Sequence, residues 1–434
     1  MKSRIKIIIT IIIMCLFLNQ IIITISTSGE QKYIETKSDN QSIIFNRDYN
    51  EYDNKYGIIL AGNWQSQNQY KWFLQDTQIM YWTLSIKYGF KPDDTYILVT
   101  KSNEFNSPEI FDQNIIDYQS TKNNLENVLT KFKQGGEKEM GDNDLLFINI
   151  ISHGNSEGFE TKSDFVFADE FASFVNGING TLVIILQPCQ SGGLIDELSA
   201  ENRVIVTSVK STEFDNGFQG HFARGLIGIS DIDQEIGNQD ELTSIEEAYH
   251  YGAKKIYEKD GNHPLIDDNA DKQGHHYSEE GYNNINPEKD GYNASKTFLG
   301  QKLQSNSPSK PETPDGSKLV KAFNDYEYKT SATDPDGDPI LYGWDFDGDQ
   351  QIDKWTSPHP SGMEKTIKNE WTIKGSYNIR VKSMDIHGYQ SEWSDPLNVS
   401  ISGKFYLIQL LQNILQNILD GYFFQLLFLI LNIT

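Results

Sequence analysis

Two stretches decide how this chain folds: residues 145–154, LLFINIISHG, and residues 181–193, TLVIILQPCQSGG. Each opens with a run that is apolar almost throughout and stops at a glycine-containing segment. Such runs lack the in-out alternation of a half-exposed strand and fit strands buried on both faces of a parallel sheet. Residues 57–61, 95–100 and 203–208 carry the same pattern. Helical periodicity between them predicts helices over 70–88, 121–133, 169–176 and 218–227. Alternating strands and helices imply an α/β domain with a mostly parallel sheet covered by helices.

In such a sheet, ligands and reacting groups collect at the carboxyl edge. The run 181–186 leads into Gln187, Pro188 and Cys189, and the run 145–151 into Ser152, His153 and Gly154, so a thiol and an imidazole emerge on that edge. Of the eight histidines, only His153 follows a buried strand. Beside an imidazole, a thiol can act as the thiolate while the imidazolium protonates a leaving amine. Gly154 allows close backbone approach, and its N–H, with that of Cys189, would bind the oxyanion of a tetrahedral intermediate. The ordinary role of a lone Cys is that of a small buried hydrophobe. Against that stands its scarcity: the chain has two cysteines, and Cys15 lies in a leader, which leaves the mature chain one thiol and no internal disulfide.

The leader is read from Lys2, Arg4 and Lys6, followed by apolar residues to Ile25 and small residues at 26–29. It predicts a signal peptide over 1–28, an N-terminal segment over 29–53 and an exported protein, secreted or at the cell surface. With 37 Lys+Arg against 61 Asp+Glu the net charge is −24, which excludes a nucleic-acid binder and suits a solvated extracellular surface.

Past the α/β domain, taken as 54–285, the apolar pattern fails and prolines gather, predicting a linker over 286–311. Beyond it Tyr377, Ile379 and Val381 alternate with Asn378, Arg380 and Lys382, the period of a half-buried strand, and 312–403 reads as an antiparallel β-sandwich. Residues 404–434 form a hydrophobic tail: Leu407, Leu411, Ile414, Leu415 and Ile418 recur at helical spacing, and either attachment to a membrane surface or docking on the protein accounts for them.

Together the blocks ending in His153-Gly154 and in Cys189, followed by Ser191-Gly192, resemble the legumain family of cysteine peptidases, within the wider group that includes caspases. The likeness spans about 54–257. It implies a caspase-like three-layer α/β/α fold and hydrolysis of peptide bonds in protein or peptide substrates, with Cys189 as nucleophile and His153 as acid/base partner. It also implies that Asn68 orients the histidine, and that Lys71, Gln187 and Ser208 contact substrate. The family's asparaginyl members carry an Arg-His pair just after the asparagine and a Glu two residues before the nucleophile. Here Gln69, Tyr70, Lys71 and Trp72 follow Asn68, and Gln187 replaces the Glu, so cleavage after Asn is not expected. A transpeptidase or ligase would share the chemistry up to the acyl-enzyme, and a non-catalytic surface adhesin could keep the fold.

The stretch YGWDFDGD at 342–349, with GSYNIRVKSMDIHG at 375–388, resembles a PKD domain, which implies an immunoglobulin-like sandwich used for spacing, adhesion or substrate contact. Trp344 reads as core. The Cys–His chemistry requires no cofactor. Carboxylates at Asp334, Asp336 and Asp338 and at Asp345, Asp347, Asp349 and Asp353 form a candidate Ca²⁺ region, with the last four as ligands. Asp231, Asp233 and Glu235 have the opening spacing of an EF-hand loop, but Ile236 and Leu242 stand where its turn glycine and bidentate Glu belong, so this run reads as solvated acid.

Overall fold

The computed structural model describes residues 52–402, except for 109, 163, 216, 229–241, 281–285, 287 and 301–304. The expected signal peptide, the tail at 404–434 and the acidic run 231–235 fall outside the described residues.

The α/β region is built on a 6-stranded sheet. Its elements are β1 (Lys55–Ala61), α1 (Gln67–Trp82), β2 (Thr95–Val99), α2 (Lys122–Thr130), β3 (Leu145–Ile151), the short strands β4 (Gly154–Asn155), β5 (Gly158–Glu160) and β6 (Phe165–Phe167), α3 (Ala168–Val175), β7 (Thr181–Leu186), α4 (Ile195–Leu198), β8 (Arg203–Thr207), α5 (Phe218–Ile227), α6 (Ile245–Asp260), β9 (Leu265–Asp267) and α7 (Tyr277–Glu280). The large sheet runs in the order β2-β1-β3-β7-β8-β9. All of its pairings are parallel except the last, between β8 and β9. The long apolar runs are thus the strands expected, each buried along nearly its whole length.

Alternation along β3 explains why both faces had to be apolar. Leu145, Phe147 and Ile151 enter a cluster with residues of α1, α5 and α6. Leu146, Ile148 and Ile150 enter a second cluster with residues of α2, α3 and α4. Removing both faces from water at about 25 cal/mol per Å² supplies most of the driving force for this three-layer arrangement. The helix expected over 70–88 begins earlier, at Gln67, where the Ser66 hydroxyl accepts the Gln69 N–H as an N-cap, and its last turn widens into a π-helical segment at Thr83–Lys87.

Polar character at 286–311 predicts a linker, yet part of this stretch is core. Ala294 and Leu299 are fully buried in the same cluster as α5 and α6, Ser244 bridges to Phe298, and the Ile245 N–H donates to the Thr297 carbonyl at 2.9 Å. Isolated apolar residues spaced among polar ones give no periodic signal, although each fills a slot in the packed helices.

The C-terminal region is β-rich. One sheet orders β10 (Asp315–Gly316), β12 (Asp325–Thr330) and β15 (Lys365–Glu370). The other orders β11 (Leu319–Lys321), β17 (Leu397–Ser402), β16 (Gly375–Asp385), β13 (Ile340–Asp345) and β14 (Lys354–Trp355). Their inner faces share a core of Tyr328, Ile367, Trp344, Ile379, Val381 and Val399. Trp344 is fully buried and stacks on Phe346 with centroids 5.5 Å apart, as its reading as core requires. Leu341, Met384 and Ile386 instead join the α5–α6 cluster of the α/β region.

The placement of Leu299 is directly testable. Leu299→Ala should cost about 2–5 kcal/mol in denaturant unfolding, the usual range for a fully enclosed Leu; a loss under about 0.5 kcal/mol would show that the segment is peripheral.

Candidate active site

The last paired residues of β3 and β7 are Ile150 and Leu186, and the Gln187 N–H donates to the Ile150 carbonyl at 3.0 Å, extending the pairing one step beyond β7. Parallel neighbours lie about 4.8 Å apart, so the segments carrying His153 and Cys189 leave the sheet side by side. Gly154 lets them touch. A Cβ at that position would sit 2.7 Å from the Pro188 Cβ and 2.5 Å from the Gly158 carbonyl oxygen.

His153 is half-buried, with its ring against Phe73 of α1 at a centroid distance of 5.5 Å. Its carbonyl accepts the Glu160 N–H at 2.8 Å, which fixes the backbone beneath the ring. Nε2 is buried and has no hydrogen-bond partner among the described residues.

Cys189 is a free, half-buried thiol. Burial raises its pKa above that of an ordinary thiol and the Asp215 carboxylate adds to the rise, while the N–H groups of Asp215 and of Cys189 itself oppose it. The turn after it is tight, with Gln190 at φ 58°, a left-handed conformation that costs a non-glycine residue energy and tends to persist at functional sites. It is strapped to the segment after β8: Gln190 N–H donates to Glu213 O at 2.8 Å and Gly192 N–H to Val209 O at 2.9 Å.

The remaining expected residues distribute unevenly. Gln187 is buried, and its Oε1 has no hydrogen-bond partner among the described residues. Ser208, expected to contact substrate, is fully buried; its hydroxyl donates to the Gln187 carbonyl at 2.8 Å, so it holds the Cys189 segment from behind. Lys71 lies exposed on α1. Asn68, expected to orient His153, is also exposed, near the start of α1, and its side chain makes no hydrogen bond among the described residues. Phe73 supplies the ring contact to His153. Of the proposed calcium ligands, Asp345, Asp347 and Asp353 bring carboxylate oxygens within 4.8 Å of one another, while Asp349 stands outside that group and accepts the Gln351 N–H at 2.7 Å.

Sequence reasoning missed the acid beside the thiol, Asp215, and the charges around it. Asp215 accepts the N–H groups of Gly217 and Phe218 at 3.1 and 3.3 Å, capping α5. Burial raises its pKa, against hydrogen bonds from those N–H groups and from the Gln187 side chain. An Asp three residues before a helix was legible as a cap; its closeness to the thiol was not, because it depends on how the loops fold back. Asp76 on α1 is pushed up to about 7 by burial and by Asp215, with Arg224 opposing. Glu213 binds the His263 Nδ1 at 2.6 Å and the His263 N–H at 2.8 Å, tying this segment to the approach to β9.

Two outcomes follow from these charges. Alkylation of Cys189 by iodoacetamide, read by mass spectrometry of its peptide, should titrate above the usual thiol midpoint of about 8.5, and Asp215→Asn should move that midpoint down. An unchanged midpoint would remove Asp215 from the site's electrostatics. For Asp76 the folded pKa lies above the unfolded one, so the stability it contributes is present below about pH 4 and is lost as pH rises to about 7. Asp76→Asn should therefore raise Tm more at pH 8 than at pH 5, and equal shifts at both would contradict the assignment.

Comparison with known proteins gives a family for the α/β region. The model of the Peptidase C13 family matches residues 56–225, which marks a Peptidase C13 domain in this stretch and implies a cysteine peptidase. The match takes in β1 through most of α5, including His153, Cys189 and Asp215. No curated protein matches the chain. Among solved structures, the PKD domain of an M14-like peptidase from a Thermoplasmatales archaeon is 33% identical, covering 23% of this chain and 98% of that one with a TM-score of 0.21. The CARDB domain of a Pyrococcus furiosus protein, in complex with di-metal ions, is 14% identical, covering 24% of this chain and 95% of that one with a TM-score of 0.17.

Proposed function

We propose that the chain is an exported cysteine endopeptidase in which Cys189 and His153 hydrolyse peptide bonds through an acyl-enzyme. The observation that carries this reading is the pairing of β3 with β7, which brings the His153 and Cys189 segments out together, with the Nε2 of His153 unengaged. His153 takes the thiol proton as the sulfur attacks the scissile carbonyl, then delivers it to the departing amine. The N–H groups of Gly154 and Cys189 receive the oxyanion. Water, deprotonated by His153, then cleaves the thioester and restores the thiol. Because burial disfavours the isolated thiolate, proton transfer to His153 is what makes the sulfur nucleophilic at neutral pH.

Substrate would enter beside Gln187 and the acidic pair Asp76 and Asp215, a setting that gives no reason to favour Asn before the cleaved bond. Within this reading the β-rich C-terminal region is a PKD-like spacer, and the hydrophobic tail, where it attaches to a surface, keeps the enzyme at the cell. Export is supported by the leader over 1–28.

Purified protein incubated with a diverse peptide library should release cleaved products identifiable by mass spectrometry. Cys189→Ala and His153→Ala should each lower cleavage at least about a thousandfold while leaving the fold intact. Full activity in either variant refutes the dyad, ligated products in place of hydrolysed ones indicate transpeptidation, and cleavage almost wholly after Asn contradicts the pocket.

A further inference from the structure

The β-rich region holds a set of carboxylates that its packing does not satisfy. Asp334, Asp336 and Asp338 lie on the turn before β13, with one carboxylate oxygen of each within 4.8 Å of the others. Asp334 is only 7% exposed; its Oδ1 accepts the N–H groups of Asp336 and Asp338 at 2.9 and 3.1 Å, and its Oδ2 has no hydrogen-bond partner among the described residues. Asp385, at the end of β16, is fully buried. Its Oδ1 accepts the Tyr389 N–H at 2.8 Å and its Oδ2 likewise has no partner among the described residues. Asp385 lies in the field of Asp334 and Asp338, and the Ser305 hydroxyl that acts on it also contacts Asp336 and Asp338.

Neutral donors and an imidazole surround the group. The Ser305 hydroxyl contacts Asp336 Oδ2 at 3.2 Å and Asp338 Oδ2 at 3.0 Å, and the Asn306 N–H reaches Asp336 Oδ2 at 2.7 Å. The Nε2 of His387 lies 3.3 Å from Asp338 Oδ2. Buried carboxylate oxygens with no donor are costly, and like charges this close add to the cost. A cation removes both penalties. Oxygen-only ligands select a hard ion, and Ca²⁺ accepts six to eight of them in irregular geometry, whereas Mg²⁺ demands a near-ideal octahedron.

We propose that Asp334, Asp336, Asp338 and Asp385 bind one Ca²⁺ ion. The other acidic trio differs in being already satisfied: Asp345 accepts Gly348 N–H at 2.6 Å and Gln350 N–H at 3.0 Å on its two oxygens, and Asp353 accepts Phe346 N–H at 2.6 Å. The ion would fasten Ser305 and Asn306, where the chain enters the β-rich region, to the end of β16. Met384 and Ile386 flank Asp385 and pack into the α/β cluster, so the ion would also stiffen that junction.

The full chain, stripped with EDTA, is titrated with CaCl₂ by calorimetry and followed by thermal melting. The expected result is one saturable site with a Tm that rises with Ca²⁺, as binding to the folded state alone requires. Asp385→Asn and Asp336→Asn should each weaken binding at least tenfold, and Asp347→Asn should leave it unchanged. Asp336 is exposed, so its variant decides the matter should Asp385→Asn fail to fold. No heat and no Tm shift in the wild type, binding unaltered in Asp336→Asn, or loss confined to Asp347→Asn overturns the site; equal affinity for Mg²⁺ overturns the choice of ion.

Discussion

Everything at the candidate active site depends on the parallel pairing of β3 with β7. The two strands are central, buried on both faces and matched residue for residue from Leu145 with Thr181 to Ile150 with Leu186. Register in a sheet packed on both sides is strongly specified, because a slip of one residue would move every side chain to the opposite cluster. That constraint brings the segments carrying His153 and Cys189 off the same edge of the sheet. The core thus sets the position of the chemistry as well as supplying the stability.

Around that frame, short segments refine the site. Phe73 presses on the imidazole, Gly154 admits Pro188, and the Ser208 hydroxyl together with the Glu213 and Val209 carbonyls holds the turn that presents the thiol. Asp215 joins the two functions of the region, capping α5 through its carboxylate while its N–H faces the sulfur. Burial and the Asp215 carboxylate both disfavour the thiolate of Cys189 in this setting.

The fold was legible because long apolar runs report burial directly, and the strands 145–151 and 181–186 were found with their ends correct. The placement of Cys189 and His153 at one edge of the sheet was legible for the same reason, since each follows such a run. Residues whose role arises from loops folding back were not. Asp215 and Phe73 carry ordinary cap and core signals, β9 is three residues long, and Phe298 and Leu299 are a lone apolar pair with no periodic pattern around them. Asn68 and Ser208 show the converse: positions assigned by likeness to a family are here an exposed side chain and a buried support.

The central claim is that Cys189 and His153 act on one carbonyl. A crystal structure of the chain reacted with a peptide aldehyde tests it most directly. The account predicts a hemithioacetal on the Cys189 Sγ, its oxygen within hydrogen-bond reach of the Gly154 N–H and the His153 Nε2 within reach of the reacting centre. An adduct on another residue, or one on Cys189 with the imidazole turned away and Gly154 uninvolved, would contradict it.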